Sequence, residues 1–231
     1  RVSAPARPPW VTYVHLGDET DYEDCYCEYC HKAFQEELGY ELPVRKNDFS
    51  PEYLDQWIDY HLFKNRSIGR MYARAAAAAH EKDPGLKMFA SLPQSAGMCR
   101  GEDQFNTQSG FDLLWDHTYP GTVPARVALN ASLMEETGVL QGRPYVPVLD
   151  LLQAFDSYDR VPYMPPAGYV REMAWQAIAH GVDSVGWFVY NAFWWNLPGT
   201  ETWEEIGRLG REVLEPLTPT LYEMRNAPQP V

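Results

Sequence analysis

Five short apolar runs punctuate the chain: WVTYVHL (10–16), LKMFASL (86–92), FDLLWD (111–116), PYVPVLDLL (144–152) and SVGWFVY (184–190). Each is apolar on both faces and bounded by Gly, Pro or Asp. Strands covered on one side alternate, whereas strands buried on both sides read as continuous apolar runs, which predicts a parallel sheet under helices. The segments between them carry helical signals. SPEYLDQWIDYHLFKNRSIGRMYARAAAAAHEKDPG opens on a Ser50 cap with Pro51 at the first helical position and stops at Asp83-Pro84-Gly85. PAGYVREMAWQAIAHG ends on Gly181, the glycine just past a helix end, and TETWEEIGRLGREVLEPL pairs a Thr cap with acidic residues in its first turn. Strand–helix alternation predicts βα units. No linker divides the chain, so one domain is expected over 1–226, with the Pro-rich end 227–231 as an exit linker. Five strands do not close a (β/α)8 barrel. The pattern leaves an open five-stranded sheet or part of a barrel.

Composition narrows the partners more than the fold. The 231 residues are 45% hydrophobic and 14% aromatic, enough for one large core. A formal net charge of −13 argues against a nucleic-acid footprint and against an anionic membrane surface. There is no apolar run of about eighteen residues, the length a membrane span needs. The start, RVSAPARPPW, holds no apolar signal core. Compartment stays open.

The chemistry gathers where strands stop. In GDETDYEDCYCEYCH (17–31), three cysteines fall within six residues, a spacing that lets Cys25, Cys27 and Cys30 share one tetrahedral ion. Cys99 and His31 are the internal candidates for a fourth ligand; free thiols or a disulfide are the alternatives. Asp18 and Glu19 close the first strand. The next ends bring Asp116, His117 and Tyr119, then Asp150 and Gln153, then Tyr190, Asn191, Trp194 and Trp195. Aromatic faces stack on the C–H faces of sugar rings, and paired carboxylates across a pocket are the apparatus of glycoside hydrolysis.

GDE closing a strand, followed by CYCEYCHKAFQEEL, resembles the fourth-strand segment of glycoside hydrolase family 42, the β-galactosidases of the clan A barrels. MAWQAIAHGVDSVGWFVY resembles that family's seventh helix and eighth strand, and VLEPLTPTL its last barrel helix. The resemblance implies an α/β fold, a partial (β/α)8 barrel of strands four to eight with outer helices. Strands one to three and a fourth zinc ligand are then expected ahead of Arg1. It implies Glu19 as general acid/base and Cys25, Cys27 and Cys30 as three ligands of a structural zinc. Two departures stand out: Asp18 occupies the place of the family's Asn, which grips the sugar 2-hydroxyl, and PVLDLLQAF offers no Glu for the nucleophile.

The leading expectation is a glycosidase-like domain with Glu19 as acid/base and Asp150 as nucleophile or base. Asp18, Asp116, Tyr119, Gln153, Tyr190, Asn191, Trp194 and Trp195 are the substrate-binding candidates. A carbohydrate-binding barrel without hydrolysis is the second expectation, with Gln153 in the nucleophile's place. A catalytic metal centre of Cys25–Cys30 with His31 is the third. The partner expected is a carbohydrate, with no nucleic acid, membrane or organic cofactor, and homo-oligomer formation by the full-length protein stays open.

Overall fold

The structure, a computed structural model, describes residues 8–18, 24–43, 51–93, 103–121, 123–143, 146–155, 164–192 and 195–227. Its first elements are β1 (Tyr13–His15), α1 (Glu28–Leu38), α2 (Pro51–His80), β2 (Lys87–Phe89), β3 (Leu92–Pro93), α3 (Gln104–Thr107) and β4 (Leu114–Thr118). They are followed by α4 (Ala125–Leu140), β5 (Val148–Gln153), α5 (Ala167–Ala179), β6 (Ser184–Phe188), β7 (Asn191–Ala192) and β8 (Trp195–Asn196). Then come α6 (Glu201–Arg208), a π-helical stretch (Leu209–Leu214) and α7 (Glu215–Asn226). The fold is mixed α/β with parallel strands, as the unbroken apolar runs predict. Two compact units are present: Arg1–Trp115 with Thr137–Val146, and Asp116–Glu136 with Pro147–Val231.

In the first unit, β1 and β2 pair in parallel, Tyr13 opposite Lys87 and His15 opposite Phe89. α2 buries Tyr60 and Phe63, three residues apart, then Ile68, Tyr72 and Ala76, four apart, a stripe that drifts around the helix. The later part of the stripe packs with Met88, Ala90 and Phe111, and the earlier part with Phe34 and Leu42. Each large apolar side chain buried this way contributes about 1.5–3 kcal/mol. The expected cap Ser50 lies outside the described residues; at the other end Gly85 N–H donates to the Asp83 carboxylate and turns the chain. β4 begins at Leu114, three residues later than the run starting at 111 predicts. The reason is that Phe111 N–H closes a turn onto the Gln108 carbonyl, while the Asp112 carboxylate accepts from Met88 N–H at 2.7 Å.

In the second unit, β5 and β6 pair in parallel from Leu149–Ser184 to Gln153–Phe188. α5 lays its buried Val170, Met173, Ala174 and Ala177 against both strands. It ends as predicted, with Gly181 at φ +93° letting Val182 N–H reach back to the Ala177 carbonyl. α6 starts on Thr200, whose hydroxyl accepts from Trp203 N–H at 3.1 Å, with Glu201 and Glu204 in the first turn. Arg225 of α7 binds Glu135 of α4 and Asp183 before β6, and Asp183 in turn accepts from Val148 N–H at 2.8 Å.

Candidate functional sites

The cysteine cluster is built on the start of α1. Cys27 is the residue that caps the helix, with extended backbone, and Cys30 sits in the first turn. A loop before a helix start gathers N–H groups and leaves room for sulfurs to turn back on them. Cys25 and Cys27 Sγ lie 3.4 Å apart, and all three sulfurs lie within 4.8 Å of one another. The Cys30 backbone N–H, then the Cys25 thiol, hold Cys27 below its ordinary range, whereas burial and the neighbouring sulfurs push Cys30 up to about 12. Three thiols this close compete for protons, and a soft divalent cation that takes them as thiolates relieves the conflict. The donor set fits a metal. Among the described residues no fourth His, Cys, Asp or Glu joins the group; Cys99 lies outside them. The loop is pinned to α2 by Cys25 N–H donating to Tyr60 Oη at 3.0 Å and by Lys64 paired with Asp24 at 2.9 Å. Tyr26 stacks on Tyr60 beside it.

The end of β1 carries Asp18, exposed, with its Oδ1 accepting from the Ser91 hydroxyl at 2.7 Å. Glu19, expected at the same strand end, lies outside the described residues.

In the second unit the strand-end residues sort by parity. Asp116 shares a face of β4 with Thr118, and Thr118 Oγ1 accepts from Asn130 of α4 at 3.2 Å, so that face is the helix-covered one. Asp116 is fully buried and accepts from His117 N–H. Asp150 lies in β5 on the face shared by Val148 and Leu152, and all three are fully buried. Neither Asp150 oxygen makes a hydrogen bond of good geometry. Burial pushes its carboxyl up to about 7, and Thr118 nearby offsets only part of that. Gln153 stands on the opposite face of β5 and is buried as well. Its amide is spent on backbone: Oε1 accepts from Gly121 N–H at 3.0 Å and Nε2 donates to the Phe155 carbonyl at 3.0 Å. Gln153 therefore ties the loops after β4 and β5 together.

Around that tie stands an aromatic group. Tyr119 meets Phe155 edge-on at 4.9 Å, His117 at 5.7 Å and Phe188 at 5.9 Å. Tyr169 Oη donates to the Gly121 carbonyl and holds the same loop. Tyr190 is 57% exposed and packs edge-on against Trp203, itself 38% exposed. Asn191 and Trp195 belong to the short antiparallel pair β7–β8, where Asn191 faces Asn196 and Ala192 faces Trp195; Trp194 lies outside the described residues. His117 is among the strand-end residues read from sequence, though not among its substrate-binding candidates; Phe155, Phe188 and Trp203 are in neither group, and nothing in the S-V-G-W-F of β6 marks Phe188.

The second unit thus offers buried carboxylates on one face and, on the other, aromatic rings around braced loops. Comparison with known proteins gives this arrangement its context. The model of one family, Glyco_hydro_42, described as beta-galactosidase, matches residues 40–195, about two-thirds of the chain. No curated protein matches. Among solved structures, a polyextremophilic beta-galactosidase from the Antarctic haloarchaeon Halorubrum lacusprofundi aligns at TM-score 0.65 and 15% identity, over 82% of this chain and 36% of that one. A cold-adapted beta-galactosidase from Rahnella sp. R3 aligns at TM-score 0.65 and 15% identity, over 87% of this chain and 35% of that one. The likeness to these two is one of fold, and the chain spans little more than a third of their length. With the family's model matched over most of its length, the chain belongs to glycoside hydrolase family 42.

Proposed function

We propose that this chain is a glycoside-recognising segment of a family 42 (β/α)8 barrel, residues 1–226 supplying strands four to eight and 227–231 leading out of it. The observation that carries the reading is the family match over 40–195, which contains the aromatic group of His117, Tyr119, Phe155 and Phe188 and its Gln153 brace. Within the group Tyr119 is half-buried and Phe188 exposed, and these two rings are the ones to offer flat apolar faces to sugar C–H groups, braced by the buried His117 and Phe155. Glu19 is the proposed general acid/base, and Asp18 the residue that accepts from a substrate hydroxyl. A β-galactoside is the substrate class favoured, since both structurally similar enzymes are beta-galactosidases. Cys25, Cys27 and Cys30 are assigned a structural zinc, which would cross-link the loop at 24–27 to the start of α1 and take no part in bond cleavage.

A second reading has its own support. A nucleophile must reach the anomeric carbon, and the Asp150 carboxylate is shut under the helix-covered face of β5 while Gln153 takes the other face. That favours a domain that binds glycosides without cleaving them. Calorimetric titration with a nitrophenyl β-galactoside, alongside an assay for nitrophenol, separates the two. Binding with release supports hydrolysis; binding without release supports the second reading. No binding of galactosides or other nitrophenyl glycosides overturns both. Tyr119→Ala should weaken whatever binding is found.

A further inference from the structure

The three sulfurs of the cysteine cluster are not gathered by one element. α1 places two of them: Cys27 caps the helix and Cys30 lies in its first turn. Cys25 precedes the helix, and helical geometry imposes nothing on it. Its place is set from α2. The Cys25 N–H donates to Tyr60 Oη at 3.0 Å, Asp24 on one side pairs with Lys64 at 2.9 Å, and Tyr26 on the other stacks on the Tyr60 ring at 5.6 Å. Tyr60 and Lys64 are four residues apart, so they stand on one face of α2. Both are buried, and the ammonium lies 5.2 Å from the centre of the Tyr60 ring. Three consecutive residues, 24 to 26, are thus each held by the same pair of side chains.

The shape held in this way is close to the one a metal needs. A tetrahedral ion about 2.3 Å from each thiolate sets its sulfurs roughly 3.8 Å apart. Here Cys25 and Cys27 Sγ stand 3.4 Å apart, and the whole group lies within 4.8 Å. A loop already in this shape has little freedom left to lose when an ion arrives. A loop that visits the shape for a fraction of the time binds more weakly by that fraction. We propose that Tyr60 and Lys64 are positioning residues for the assigned ligand Cys25, so that α2 sets the metal affinity of a cluster whose sulfurs all lie outside it. The ion in turn ties the loop at 24–27, and through it α2, to α1. This rests on the zinc assignment above.

The test is the cobalt(II) affinity of the reduced protein, in the longest chain that carries this domain, read from the thiolate charge-transfer band in competition with a chelator. Tyr60→Phe keeps the ring beside Tyr26 and removes the acceptor for Cys25 N–H. It should weaken cobalt binding by about tenfold, the lower end of what groups supporting metal ligands are worth. Asp24→Asn breaks the pair with Lys64 from its more exposed end and should also weaken binding. Lys64→Arg, which keeps the charge, should bind cobalt more tightly than Lys64→Met. Glu37→Gln is the control, because Glu37 joins α1 to Arg66 and Arg70 of α2 about two turns beyond Cys30. Its loss loosens the helix pair away from the loop, and cobalt affinity should stay within about twofold of the parent. A purely structural role for Tyr60 would lower the melting temperature of the metal-free protein and leave the cobalt affinity of the folded protein unchanged. Unchanged affinity in both Tyr60→Phe and Asp24→Asn overturns the proposal, and so does a loss from Glu37→Gln as large as that from Tyr60→Phe. If the parent takes up no cobalt, the zinc assignment falls and the proposal with it; uptake indifferent to the α2 changes removes the proposal alone.

Discussion

A carboxylate in the middle of V-L-D-L-L-Q has apolar neighbours on both sides, so the alternation in β5 carries no cue to which face it occupies. The sequence places Asp150 near a strand end, and the strand does end three residues on; only the register shows that it shares the face of Val148 and Leu152. Asp116 in L-W-D-H-T is equally silent about its face. Burial raises the Asp150 carboxyl from 3.8 to about 7, which makes folding take up a proton. Its contribution to stability is complete below pH about 4 and is lost as pH rises towards 7. Asp150→Asn removes the buried charge and keeps the shape. It should therefore raise the melting temperature at pH 8, with the gain shrinking towards pH 4, as thermal unfolding followed across that range would show. A variant less stable than the parent at pH 8 would mean that the charged carboxylate is satisfied in the fold.

At the scale of elements, what was legible is where helices start and stop. Pro51 at the start of α2 and the glycine after α5 are read from the sequence alone, and both stand in the structure. α4 does not announce itself. Its buried Val127, Ala131 and Met134 alternate with exposed Leu129, Leu133 and Leu140, so no single apolar stripe emerges from the sequence. Contacts between helices are invisible at that stage too. Gly69 lies inside α2, where Ala would be favoured by about 1 kcal/mol on propensity alone. A Cβ there would run into the Asn106 carbonyl oxygen, so the glycine sets how closely α2 approaches the end of α3. Gly69→Ala should destabilise the protein by about 1–3 kcal/mol, the usual range for overpacking, against the propensity gain; chemical denaturation measures it. The cysteine loop makes a separate prediction. Cobalt(II) should bind in one equivalent with thiolate charge-transfer absorption, Cys27→Ser should abolish that band, and a chelator should lower the melting temperature of the metal-loaded protein. No metal uptake by the reduced protein would remove the zinc assignment.

On the scale of the molecule, family membership was legible from 17–38 and 171–190, while the matched stretch is 40–195. The acid pair at 18 and 19 therefore precedes the region that establishes the family, and its role rests on the local pattern GDE after a strand. Glycoside cleavage needs a proton delivered to the leaving oxygen and a second group that attacks or activates water. The described residues provide no exposed carboxylate at the end of β5, so the proposed acid, Glu19, is the carboxylate whose replacement tests the hydrolytic reading. Glu19→Gln preserves size and hydrogen bonding but has no proton to give. In the longest protein that carries this domain, it should lower kcat on an aryl β-galactoside by about 10²–10⁴-fold, the usual worth of general acid catalysis. Affinity for the intact glycoside should stay within about threefold of the parent, because an amide still accepts and donates to a sugar oxygen. The loss should also be smaller on a nitrophenyl than on an alkyl galactoside, since a good leaving group needs less protonation. Turnover of the alkyl substrate at the parent's rate would exclude Glu19 as the acid.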